Sequence, residues 1–94
     1  MEGRFFEWDE AKAARNVALG RPSFDLVMRF EFKTAIVTRD ERTDYGEVRK
    51  IALGLVETRV HVLVYTERDD VIRVISFRRA NEREVRHYDR QTAR

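Results

Sequence analysis

Arginine is where the chemistry of this 94-residue sequence concentrates. From Val71 to Arg94 there are seven, Arg73, Arg78, Arg79, Arg83, Arg86, Arg90 and Arg94, set against Glu82, Glu84 and Asp89. This end therefore carries +4, although the whole chain carries only +2. A guanidinium is a planar, permanently charged fork that binds phosphate oxygens two at a time. A basic end of this kind is a candidate polyanion surface. Arginines along a solvated helix can also serve solubility alone, which is the plainer reading of Arg83, Arg86, Arg90 and Arg94. Arg78 and Arg79 differ because they close a strand. Strict alternation puts Arg73, Ile75, Phe77 and Arg79 on one of its faces and Ile72, Val74, Ser76 and Arg78 on the other, so each face ends in an arginine. With no cysteine, thiolate chemistry and disulfides are excluded. His61 and His87 are the only histidines, and no His, Asp and Glu cluster has ligand spacing, so neither a metal nor a cofactor is expected.

The strand that positions these arginines belongs to the most strongly patterned stretch, Val60 to Ala80. Val60–Tyr65 and Val71–Phe77 are rich in β-branched and aromatic residues, and Glu67-Arg68-Asp69-Asp70 breaks them, which predicts an antiparallel hairpin at the centre of a sheet. Upstream, Asp9 is a good N-cap for a helix over Glu10–Leu19, ended by Gly20 and Pro22. Ser23 caps a second short helix, in which Phe24, Val27 and Met28 recur at helical spacing and Phe30 or Phe32 completes the stripe. Lys33–Arg39 alternates as a strand. Val48–Val56 reads as another, with Ile51, Leu53 and Leu55 inward and Gly54 marking a bulge or a close backbone approach. Asn81 and Glu84 match a capping box, so a helix should run to about Thr92. The expected fold is α+β in one domain over residues 1–94, with two N-terminal helices, an antiparallel sheet of about four strands and a C-terminal helix. No signal-like segment and no apolar run of roughly 18 residues is present, so a cytoplasmic location is the expectation.

Four blocks, Phe6–Asn16 (FEWDEAKAARN), Asp44–Arg49 (DYGEVR), Val64–Ser76 (VYTERDDVIRVIS) and Phe77–Tyr88 (FRRANEREVRHY), resemble in order and spacing the BrnT family of bacterial type II toxins. The resemblance implies a RelE-like fold and ribonuclease activity that stops translation. It also implies a partner antitoxin with a ribbon-helix-helix segment, through which alone DNA would be contacted, and an RNA substrate met free or at the ribosome. Metal-free RNA cleavage needs a group to take the 2′-hydroxyl proton, a group to protonate the leaving oxygen, and cations for the charge building on the phosphate. Within the matching blocks, Arg78, Glu47, Arg49 and Tyr65 are the catalytic candidates, and Lys12, Arg68, Arg73, Arg79 and Tyr88 the RNA-binding ones.

Each has a plainer reading. Lys12 suits an exposed helix face, Glu47 and Arg49 an ion pair, Tyr65 a core position and Tyr88 a docking contact for the last helix. His61 lies among valines and reads as packed, His87 as solvated. Where the family commonly has a Lys-His pair before the glycine that ends the first helix, this chain has Ala18 and Leu19. A further family histidine is Thr43 here, and the usual Asp-Pro after the second helix is Phe32-Lys33. Two readings stay open: an RNA-cleaving toxin that works without those histidines, and a catalytically weak or inactive relative that still binds antitoxin or RNA.

Overall fold

The computed structural model describes residues 5–41 and 46–93; Thr43, Asp44 and Arg94 lie outside the described residues. Strand β1 (Phe5–Glu7) leads into helix α1 (Glu10–Ala18), then into two 3₁₀ helices, Phe24–Arg29 and Phe32–Thr34. Strands β2 (Ile36–Arg39), β3 (Lys50–Val56), β4 (Arg59–Arg68) and β5 (Val71–Arg79) follow, and helix α2 (Glu82–Thr92) ends the fold. The sheet order is β1-β5-β4-β3-β2. The α+β class and the central antiparallel β4–β5 hairpin agree with the sequence pattern. The turn is Asp69-Asp70, with Asp69 at φ 55° in the left-handed region that a short polar side chain tolerates.

Three expectations about the elements themselves are corrected. Among the described residues the sheet has five strands, because β1 pairs in parallel with β5, Phe5 against Val71 and Glu7 against Arg73. Three residues with a distant, parallel partner carry no local signature. The second N-terminal helix is 3₁₀, and its cap at Ser23 is present. Its buried residues are Phe24 and Val27, followed by Phe30, a spacing of three that matches the 3₁₀ turn, whereas Met28 is exposed. The first part of the expected strand Lys33–Arg39 belongs to the second 3₁₀ helix, so β2 begins at Ile36.

One face of the sheet carries the core. Ala52, Leu63, Tyr65, Ile72, Val74 and Phe77 pack there against Phe24, Val27 and Phe30. The layer is aromatic: Phe30 and Tyr65 both meet Phe32 edge-on, at 4.9 and 5.9 Å between ring centres, and Trp8 meets Phe24 at 6.2 Å. The buried residues of β3 are consequently Ala52, Gly54 and Val56, while Ile51, Leu53 and Leu55 are half-buried on the opposite face. Inward and outward are thus the reverse of the sequence reading. Gly54 does mark a close approach, since a Cβ there would stand 2.5 Å from the Phe30 ring.

Helix α1 is fixed to the sheet by a polar contact. Buried Asn16 donates from Nδ2 to Pro22 O at 2.7 Å and to Phe77 O at 2.9 Å. Beyond Arg73, β5 has no β1 residue beside it, and Asn16 satisfies a carbonyl on that edge. At the far end of the chain, Tyr88 is 1% exposed and donates its hydroxyl proton to Thr34 Oγ1 at 3.3 Å, tying α2 to the segment before β2.

Two expected outcomes follow for stability. Gly54→Ala should destabilise by about 1–3 kcal/mol, because the Phe30 ring must leave its place; an unchanged urea midpoint would show that the ring yields freely. Asn16→Ala should cost about 1–3 kcal/mol by orphaning the Phe77 carbonyl, and Asn16→Asp more, because a carboxylate meets two carbonyl oxygens. Equal unfolding curves for parent and both variants would remove this contact from the account.

Candidate functional site

The open face of the sheet is set by an irregularity. In the β4–β5 ladder Val64 pairs with Ser76 but Tyr65 pairs with Val74, so Ile75 is an extra residue in a bulge. Paired residues share a face, which puts Arg73 (opposite Thr66), Ser76 (opposite Val64) and Arg78 (opposite Val62) together on the open face. Ile72, Val74 and Phe77 share the core face, together with Arg79, whose partner is His61. Strict alternation had separated Arg73 from Arg78 and joined it to Arg79; the bulge reverses both relations.

Described residues of this face line a pair of depressions. Ser76, Arg78, Glu84 and His87 line one, over a floor that includes Leu53, Val62 and Val64. Glu7, Glu47, Thr66, Arg68 and Arg73 line part of the other. In the first, Arg78 Nη1 and Nη2 donate to Glu84 Oε1 and Oε2, both at 2.9 Å, in a two-pronged fork. Glu84 is itself held by the capping box of α2. Its Oε1 accepts from Asn81 N at 2.8 Å, and its own N–H donates to Asn81 Oδ1 at 2.8 Å. The Arg78 guanidinium, helped by the Asn81 N–H and opposed by partial burial, holds the Glu84 carboxyl below its ordinary range. The Arg78 side chain is still 40% exposed, so part of it remains open to a ligand in the groove.

The other candidates are dispersed. Glu47 and Arg49 precede β3 and pair with each other at 3.5 Å. Arg73 pairs with Glu7 at 3.3 Å beside Arg68. Tyr65 is 3% exposed and packs within the core face, on the side of the sheet away from Arg73, Ser76 and Arg78. Tyr88 is a docking residue for α2, as its plainer reading had it. Lys12, on α1, lines neither depression, and Arg79 lines a separate hollow with Val60 and Asp89. His61 is buried, its ring stacked on Phe77 at 5.1 Å and its Nδ1 2.9 Å from Arg59 O. Burial pushes its pKa down, which suits a neutral ring donating that proton.

Two groove residues escaped the sequence reading. From the sequence Glu84 is visible only as the N3 residue of a capping box, and nothing local pairs it with Arg78 across the break between β5 and α2. His87, three residues beyond Glu84, was read as merely solvated.

The model of one protein family, described as the ribonuclease toxin, BrnT, of type II toxin-antitoxin systems, matches residues 8–84. The chain belongs to the BrnT family. No curated protein matches it. The BrnT match runs from Trp8 through Glu84, so it includes both partners of the fork and stops before His87 and Tyr88. Membership implies an antitoxin partner. Among the described residues no helix is long and apolar enough to cross a membrane, and no group of His, Cys, Asp and Glu is placed to hold a metal ion.

The fork gives a pH-dependence with a defined sign. A carboxyl whose folded pKa is depressed contributes stability above its unfolded value, and that contribution is lost as pH falls through the folded one. With Arg78 40% exposed, the share is about 1 kcal/mol or less. In urea unfolding, Glu84→Gln should therefore be less stable than the parent at pH 7, and the difference should shrink below about pH 4. A difference that stays constant with pH would show that the ion pair contributes nothing.

Proposed function

We propose that this chain is the toxin of a type II toxin-antitoxin pair that cleaves RNA without a metal and so blocks translation in the cytoplasm. Its antitoxin would carry a ribbon-helix-helix DNA-binding segment. The observation that carries this reading is the placement of Arg78: at the end of a central strand, in an open groove, with its guanidinium plane fixed by Glu84. A cation held in place before substrate arrives stabilises charge that develops in the transition state without reorganising. The solvent-exposed part of the Arg78 guanidinium would hold the scissile phosphate, with the Ser76 hydroxyl on the same face. Five residues nearer the start of β5, Arg73, with Arg68 beside it, would hold the strand farther along, and Glu47 and Arg49 flank that end. Half-buried Ile51, Leu53 and Leu55 give the same face an apolar surface that an antitoxin segment would cover.

The fork also lends support to a binding-only reading, because Arg78 already has a carboxylate on it and Ala18 and Leu19 bring no proton-transfer group. Activity separates the two. Induced expression should arrest growth, and the purified protein should cleave RNA in the presence of a chelator. Arg78→Ala should slow cleavage on the order of a hundredfold, with Arg78→Lys recovering part of it, because a point charge cannot reproduce the fork. Circular dichroism would confirm that the variants fold. An Arg78→Ala protein that cleaves like its parent would remove Arg78 from the site, and a parent that binds RNA but leaves it intact would favour the binding protein.

A further inference from the structure

We infer that His87 is the proton-transfer residue of this groove, taking the proton from the attacking ribose 2′-hydroxyl while Arg78 holds the phosphate. The inference rests on the ribonuclease reading and names the base that reading lacks. His87 lines the same depression as Ser76, Arg78 and Glu84. On a helix, residues three apart are neighbours, with about 5–6 Å between their Cβ atoms. Glu84 is pinned at both ends, to Arg78 by the fork and to Asn81 by the capping box, so the register of α2 over the groove is fixed and His87 with it.

Among the described residues, five other candidates for proton transfer are less well placed. Tyr65 and Tyr88 are buried, Glu84 is ionised against Arg78, and Glu47 lines the other depression. The His61 ring is packed on Phe77. His87 is exposed, and among the described residues no hydrogen bond or ion pair engages its ring. The floor formed by Leu53, Val62 and Val64 lowers the local dielectric, which strengthens the pull of Arg78 on the phosphate.

In the step itself the 2′-oxygen bonds to phosphorus as the bond from phosphorus to the 5′-oxygen breaks. The 2′-hydroxyl proton passes to the neutral imidazole, and the leaving 5′-oxygen takes a proton from water. The hydroxide so formed is neutralised by the imidazolium, which restores the base; nothing is oxidised or reduced. Neither the family match nor the sequence pattern singles out this residue, since the match ends three positions earlier.

The test compares purified parent, His87→Gln and His87→Ala on an RNA substrate, together with affinity for the same RNA carrying 2′-O-methyl riboses, which cannot be cut. Both variants should melt like the parent and bind the methylated RNA as well as it does, yet cleave on the order of a hundredfold more slowly. Added imidazole should restore part of the activity of His87→Ala. Parental cleavage by His87→Gln would overturn the assignment. Loss of cleavage in step with loss of RNA affinity, without rescue by imidazole, would make His87 a binding contact and overturn it as well. A parent that leaves RNA intact would instead overturn the ribonuclease reading, and the role of His87 with it.

Discussion

The bulge at Ile75 is the constraint on which both faces of the sheet depend. A strand that alternated without a break could not bury Ile72, Val74 and Phe77 together while presenting Arg73, Ser76 and Arg78 to the other side. One extra residue between Val74 and Ser76 resets the phase. The cost is one disrupted rung of the ladder and a locally tighter twist. The gain on the core side is apolar burial, with Ile72 and Phe77 0% and Val74 2% exposed. On the open side it is a row of polar side chains running along a rigid central strand, which holds them more firmly than a loop would.

The two faces are different materials. The core face is a layer of aromatic rings pressed so close that β3 must carry a glycine under Phe30. The open face is aliphatic at its middle and charged at both ends, and α2 crosses its edge. Three contacts fix α2 by different means: the capping box that starts the helix, the Arg78–Glu84 fork that ties its first turn to β5, and the Tyr88 hydroxyl that reaches Thr34. Because Glu84 takes part in the first two, the group that begins the helix also orients the arginine. Stability and site geometry are coupled at one carboxylate.

Charge in the groove is balanced locally. Arg73 lies against Glu7, Arg49 against Glu47 and Arg78 against Glu84, in keeping with a net charge of only +2. Exposed single-contact pairs such as Arg73–Glu7 are worth little in water and exchange readily for a phosphate. The fork is the stiffer of these contacts, with two bonds and a partner that is 27% exposed. Arg78 is therefore better placed to receive a ligand on its solvent-exposed part than to leave Glu84.

Local signals account for what the sequence by itself determined: the caps at Asp9, Ser23 and Asn81, the hairpin, the close approach at Gly54 and the cluster of arginines near the C-terminus. Each rests on residues near one another in the chain, where propensity and turn chemistry act directly. The spacing of the arginines predicted a basic surface, but not which cations share a face. That was decided by a bulge, whose signal lies in the register against β4 and not in β5 alone. The parallel β1 and the meeting of Arg78 with Glu84 and His87 depend on partners far away in the chain or across an element boundary. Only packing brings those partners together, and alternation read along a single strand cannot detect one residue that belongs to neither face.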